Sequence, residues 1–179
     1  MYTGTNPTAV RSQNTFTAAV LEMMKSTAFS KITVKAICEK AQLSRQTFYE
    51  FFDSKEDVIR QIIHEKLFNL PEPAPVFTKA VIENYFYSHI YGNRAFLRLL
   101  AKNNLEFLLS GELSASLEDV EKQLDPGEDK NVRKIATAFL TSALTGSFLV
   151  WAEGTVKISE KDFIELIYSI LRGNYFKIS

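Results

Sequence analysis

The polar residues best placed to act on another molecule are Thr33, Arg45, Gln46, Thr47, Tyr49 and Lys55. Arginine and glutamine can hydrogen-bond base edges in a DNA groove, while threonine and tyrosine hydroxyls suit phosphate oxygens. Glu50 sits among them and would repel phosphate, so it must face away or accept from a cytosine amino group. Catalysis has far less to work with. His64 and His89 fall on different expected helices, and Cys38, between Ile37 and Glu39, reads as a small core residue. No metal-ligand spacing, nucleophile elbow or phosphate loop occurs, so neither an enzyme nor a cofactor is expected.

The stretch from Thr33 to Lys55 must position these residues. Val34, Ile37 and Ala41 recur three and four apart and share one helix face, with Thr33 as N-cap. Leu43 should point inward. Ser44 can cap a second, short helix from Arg45 to about Phe52, which buries Phe48 and Phe52. Its other face carries Arg45, Gln46, Thr47 and Tyr49. This is the pattern of a helix-turn-helix whose second helix enters the major groove. By pattern alone, a short helix used only for packing fits as well.

The runs FSKITVKAICEKA and LSRQTFYEFFDSKEDVI resemble the DNA-binding signature of the TetR/AcrR family of bacterial transcriptional regulators. The T-V-x-x-I entry, the A-x-L-S turn, the T-F-Y-x-x-F helix and the S-K-E start of a fourth helix match in order and spacing. The resemblance implies DNA contacts from Thr33, Ser44, Arg45, Gln46, Thr47, Tyr49 and Lys55, with Ser44 as the cap and Lys55 on a phosphate beside a helix N-terminus. It further implies a homodimer on a palindromic operator and an effector-responsive C-terminal domain. Repression is the family habit. A helical regulator controlled by a protein partner rather than a small molecule, with activation left open, is the alternative. Two positions depart from the family pattern. Gln42 stands where glycine is frequent, implying strain or a different turn. Phe51 stands where a polar group is frequent, which removes a phosphate contact there.

The expected fold is all-α, with about nine helices. Residues 1–53 form a three-helix DNA-binding domain and 54–179 a regulatory and dimerisation domain, linked by helix four over 54–70. Nine Lys/Arg against seven Asp/Glu in residues 1–67 give +2, and the remainder −2, in a chain of zero net charge. That weak bias has the sign a DNA-binding N-terminus needs. No secretory leader is visible, no membrane-length apolar run is expected, and a single cysteine cannot form an intramolecular disulfide, so a cytoplasmic protein is expected.

Residues 1–10 read as a mobile tail, and the first helix as about Ser12 to Thr27, with Phe16, Ala19, Val20, Met23 and Met24 inward. Ser54-Lys55-Glu56-Asp57 is a capping-box start, and Pro71, Pro73 and Pro75 end helix four. Further helices are expected over 76–91, Arg94–Lys102, from Asn104 to Leu124, over Lys130–Glu153 and after a cap at Ser159. Tyr85, Phe86, Phe96, Phe107, Phe148 and Trp151 suggest an aromatic ligand pocket, with no marker of ligand class. Phe139, Ala143, Gly146, Phe163, Ile167 and Leu171, on the last two helices, are the expected dimer face. The C-terminal part, with G-x-x-x-x-W ending at Trp151, weakly resembles the subset that includes the regulator of dihydroxyacetone kinase operons.

Overall fold

Asn6 starts the chain's first helix by accepting a hydrogen bond from Thr8 N, and Pro7 occupies the first helical turn. Proline fits there because its missing N–H would have no helical partner. In this computed structural model, which describes residues 6–68, 78–124, 127 and 129–173, α1 therefore runs Pro7–Met24. Residues 7–10, expected as tail, are helical. The Asn-Pro pair was the overlooked signal.

Two short helices follow, α2 (Val34–Ala41) and α3 (Arg45–Tyr49). Next comes α4 (Lys55–Ile63), which continues into a π-helical turn over His64–Phe68. The helix α3 is shorter than expected, because Glu50 already closes it and Phe52 packs from beyond its end. After the gap, α5 (Lys79–Tyr85) leads through a second π-helical turn, Phe86–Ile90, into α6 (Arg94–Lys102). The bundle finishes with α7 (Glu106–Leu124), α8 (Lys130–Glu153) and α9 (Glu160–Leu171). The described residues hold no strand. Leu70, the proline stop at 71–75, Phe77, the loop residues Asp125 and Pro126, and the side chains of Val120 and Leu124 lie outside the described residues.

Buried apolar side chains from Phe16 to Ile167 make one connected core. At the N-terminal end, α1 packs on α2 and α4, and α2 on α3. At the other end, α8 packs on α6 and α7, and α4 reaches across to α7.

The long helix α8 departs from the usual pattern in its first half. There its buried face carries Thr137, Thr141 and Thr145, whereas Ile135 and Phe139 are 72% and 74% exposed; farther on, Phe148, Trp151 and Ala152 are buried in the ordinary way. Thr137 and Thr141 can be buried cheaply because their Oγ1 atoms donate back to Arg133 O and Thr137 O. By length and composition alone this helix could cross a membrane, contrary to expectation. Its interspersed threonines and serines disguised the run of uncharged residues.

Two arginines of α6 close the C-terminus of α8. Arg98 Nη2 donates to Ala152 O at 2.9 Å, and Arg94 Nη2 to Trp151 O at 2.9 Å. Arg94 also lies 4.5 Å from the Trp151 ring centroid. Cations at a helix C-terminus satisfy its orphan carbonyls and oppose its dipole.

Candidate nucleic-acid interface

The short α3 is held by aromatic packing from behind. Phe48 and Phe52 meet Phe16 of α1 edge to face, with centroids 5.2 and 6.2 Å apart. All three rings are almost fully buried. Five helical residues could not hold a helix unaided, so this packing and the cap must do it. Ser44 Oγ accepts from Thr47 N at 3.0 Å and shares a 2.9 Å hydrogen bond with Thr47 Oγ1. Thr33 Oγ1 caps α2 in the same way, accepting from Ala36 N at 3.2 Å.

Between these caps, Gln42 adopts φ 55°, ψ 35°, in the left-handed region. The chain thus takes the turn that glycine makes cheaply, and takes it with a side chain in place. Cys38, behind the turn, is buried and donates to Ser44 O at 3.8 Å. Burial pushes its thiol above the ordinary range, partly countered by Arg45. A protonated, shielded thiol is a packing group rather than a nucleophile.

The outer face of α3 is open to solvent. Arg45, Gln46 and Tyr49 are exposed, Tyr49 by 50%. Arg45 Cζ lies 6.0 Å from the Tyr49 ring centroid, one helical turn away. Thr47 is half-buried, and Glu50 is exposed at the C-cap. Arg45, Gln46 and Tyr49 are therefore exposed together on α3, whose N-terminus favours anions through the backbone dipole.

Lys55 sits differently. Its Nζ donates to Phe29 O and to Ile32 O, both at 2.8 Å, and lies 4.5 Å from the Phe29 ring centroid. Its charge is committed to the segment between α1 and α2. That same segment is held a second time, because Asn103 Oδ1 accepts from Phe29 N at 2.7 Å. Sequence reasoning missed Asn103, and no local signal marks a partner this distant in the chain.

The aromatic residues of the C-terminal part separate into two sets. A cavity of about 400 Å³ is lined by Tyr85, Phe86 and Phe148 from the expected set. Phe68, at the end of the π-helical turn after α4, joins them. Phe96 and Trp151 are buried away from its wall, and Phe107 is 59% exposed. Phe107 faces out because Leu108 and Leu109 take the inward positions of α7. The expected dimer face divides too. Phe139, Ala143 and Gly146 are exposed on α8, but Phe163 and Ile167 turn inward to the cavity, with Leu171 at its edge. Among the described residues no cluster of metal-ligating side chains occurs.

Residues 16–62 match the family model described as bacterial regulatory proteins, tetR family. No curated protein matches by sequence. Solved structures share the fold, among them these two. One, of Lin0861 from Listeria innocua, has a TM-score of 0.71 at 19% identity and covers 97% of this chain and 96% of its own. The other, described as the dihydroxyacetone kinase operon activator DhaS, has a TM-score of 0.55 at 17% identity and covers 92% of this chain and 96% of its own.

Proposed function

We propose that this chain, a DNA-binding transcriptional regulator of the TetR family, is a homodimeric cytoplasmic repressor that reads a palindromic operator and releases it when an effector enters its C-terminal cavity. The observation that carries the reading is the exposed face of Arg45, Gln46 and Tyr49 on a helix rooted by Phe48 in the core. Arg45 and Gln46 read base edges. Tyr49, Thr33 and Thr47 lie against phosphates, and Ser44 fixes the helix start. Lys55, with its ammonium already bonded to two carbonyls, holds the domain together instead of gripping DNA.

Two half-sites need two recognition helices. The open face of α8, with Ile135, Phe139, Ala143, Gly146 and Val150, supplies an isologous surface: apolar, and lined with small residues that let helices approach closely. The dimer assigned to this surface should sediment as one species, and Phe139→Glu should sediment as a monomer.

The cavity favours a small-molecule effector over control by a protein partner, which would leave it unused. One end of α4 starts beside the recognition helix, and the π-helical turn at its other end places Phe68 in the cavity wall. A ligand that binds one position of Phe68 better than another shifts α4, and with it the spacing of the two recognition helices. Selection from random duplex DNA tests the operator reading. Recovery of a two-fold symmetric sequence with steep salt dependence supports it. An absence of enrichment, with or without candidate effectors, would refute it.

A further inference from the structure

Thirteen of the sixteen described residues lining the cavity between α5, α7, α8 and α9 have apolar side chains. The other three are Asn84, Tyr85 and Ser116, so no lining residue among those described is charged. Ser116 Oγ already donates to Glu112 O at 3.0 Å. Tyr85 differs. Its hydroxyl is shut from solvent and has no hydrogen-bond partner among the described residues. Burial pushes the phenol far above its ordinary range, so it stays a neutral O–H donor.

A buried donor without a partner is costly, and native proteins seldom leave one without a reason. A charge in an uncharged apolar cavity is costlier still, since nothing there replaces its hydration. A polyol would strand several hydroxyls on carbon walls. The volume lies near the small end of the range of about 300–1,000 Å³ typical of ligand sites.

We infer that the effector is a small, uncharged, predominantly apolar molecule bearing a hydrogen-bond acceptor, such as a ketone, ester or ether oxygen, that accepts a hydrogen bond from Tyr85 Oη. This rests on the reading of the cavity as the effector site. The described lining disfavours anionic metabolites, phosphorylated compounds and sugars as primary ligands.

The test uses the full-length protein with N-phenyl-1-naphthylamine, a neutral dye that brightens in apolar surroundings. Three compounds of similar size compete with it: 4-phenyl-2-butanone, butylbenzene and 4-phenylbutyrate. The ketone should displace the dye best, with the carboxylate weaker by about tenfold or more at pH 7. Tyr85→Phe should weaken the ketone by about three- to tenfold and leave butylbenzene unchanged. The same substitution removes an unpaired hydroxyl, so the ligand-free variant should melt no lower than the wild type. That opposite sign separates a ligand contact from a structural role. Leu117→Trp, which fills the cavity, should abolish dye binding.

Carboxylate binding as tight as that of the ketone, or equal loss of ketone and hydrocarbon in Tyr85→Phe, would overturn the ligand class while leaving the cavity as an effector site. Failure of the dye and all three compounds to bind the folded wild type would overturn the effector-site reading itself.

Discussion

Asn103 at the end of α6 and Phe29 between α1 and α2 are joined by a 2.7 Å hydrogen bond from Phe29 N to Asn103 Oδ1. Asn103 Nδ2 in turn donates to Leu99 O at 2.9 Å, which fixes the side chain's orientation. From its first two turns, α6 is tied to the C-terminus of α8 by Arg94 and Arg98. A single short helix thus bridges α8 and the DNA-reading bundle. Asn103→Ala would leave the Phe29 N–H without its partner and should cost about 1–3 kcal/mol in chemical denaturation. Asn103→Asp keeps the acceptor and should lose less. Equal losses would show that the contact to Phe29 is not what matters.

Lys55 grips the same segment through Phe29 O and Ile32 O. Lys55→Met keeps the stem and removes two charge-assisted hydrogen bonds, so it should destabilise by about 1.5–3 kcal/mol. The salt dependence of DNA binding should stay unchanged. A drop in the salt slope by about one, without a stability loss, would assign Lys55 to a phosphate instead.

Gln42 holds a left-handed backbone conformation that costs a residue with a Cβ about 1 kcal/mol. Gln42→Gly should therefore raise stability by about 0.5–1 kcal/mol, read as a higher denaturation midpoint at unchanged slope. A lower midpoint would mean that chain entropy, not steric strain, dominates at this turn.

Asp57 completes the capping box of α4 by accepting from Ser54 N at 2.9 Å. Burial pushes its carboxyl up, but hydrogen bonds from Ser54 and Arg60 outweigh that and hold it below its ordinary value. A carboxyl with a lowered folded pKa contributes stability above its unfolded pKa of about 3.9, and that contribution is lost as pH falls through the folded value. Asp57→Asn should thus be less stable than the wild type at pH 7, with the two curves converging in acid. Parallel curves across that range would show that the charge of Asp57 contributes nothing.

Local rules carried much of this fold. The caps at Thr33, Ser44, Ser54 and Ser159 each act on an N–H within three residues, so each is legible in a short window. The N-terminal residue types pointed to DNA for the same reason: one short helix presents them together. The C-terminal domain was less legible because composition does not say which face of a helix is covered. In the first half of α8 the rule is reversed, with threonines inside and Phe139 outside. Phe163 and Ile167 could serve a dimer face or a cavity equally well by spacing, and only the position of α5 decides. The pairing of Asn103 with Phe29 depends on tertiary structure alone.

The most direct measurement is selection from random duplex DNA performed in parallel with the wild type and Arg45→Ala. The expected wild-type result is a two-fold symmetric sequence. The variant should relax the preference at one position in each half-site, at a cost of about 1–3 kcal/mol there. An identical preference in both proteins, with affinity lowered equally on every sequence, would contradict base reading by Arg45 and make it a phosphate contact.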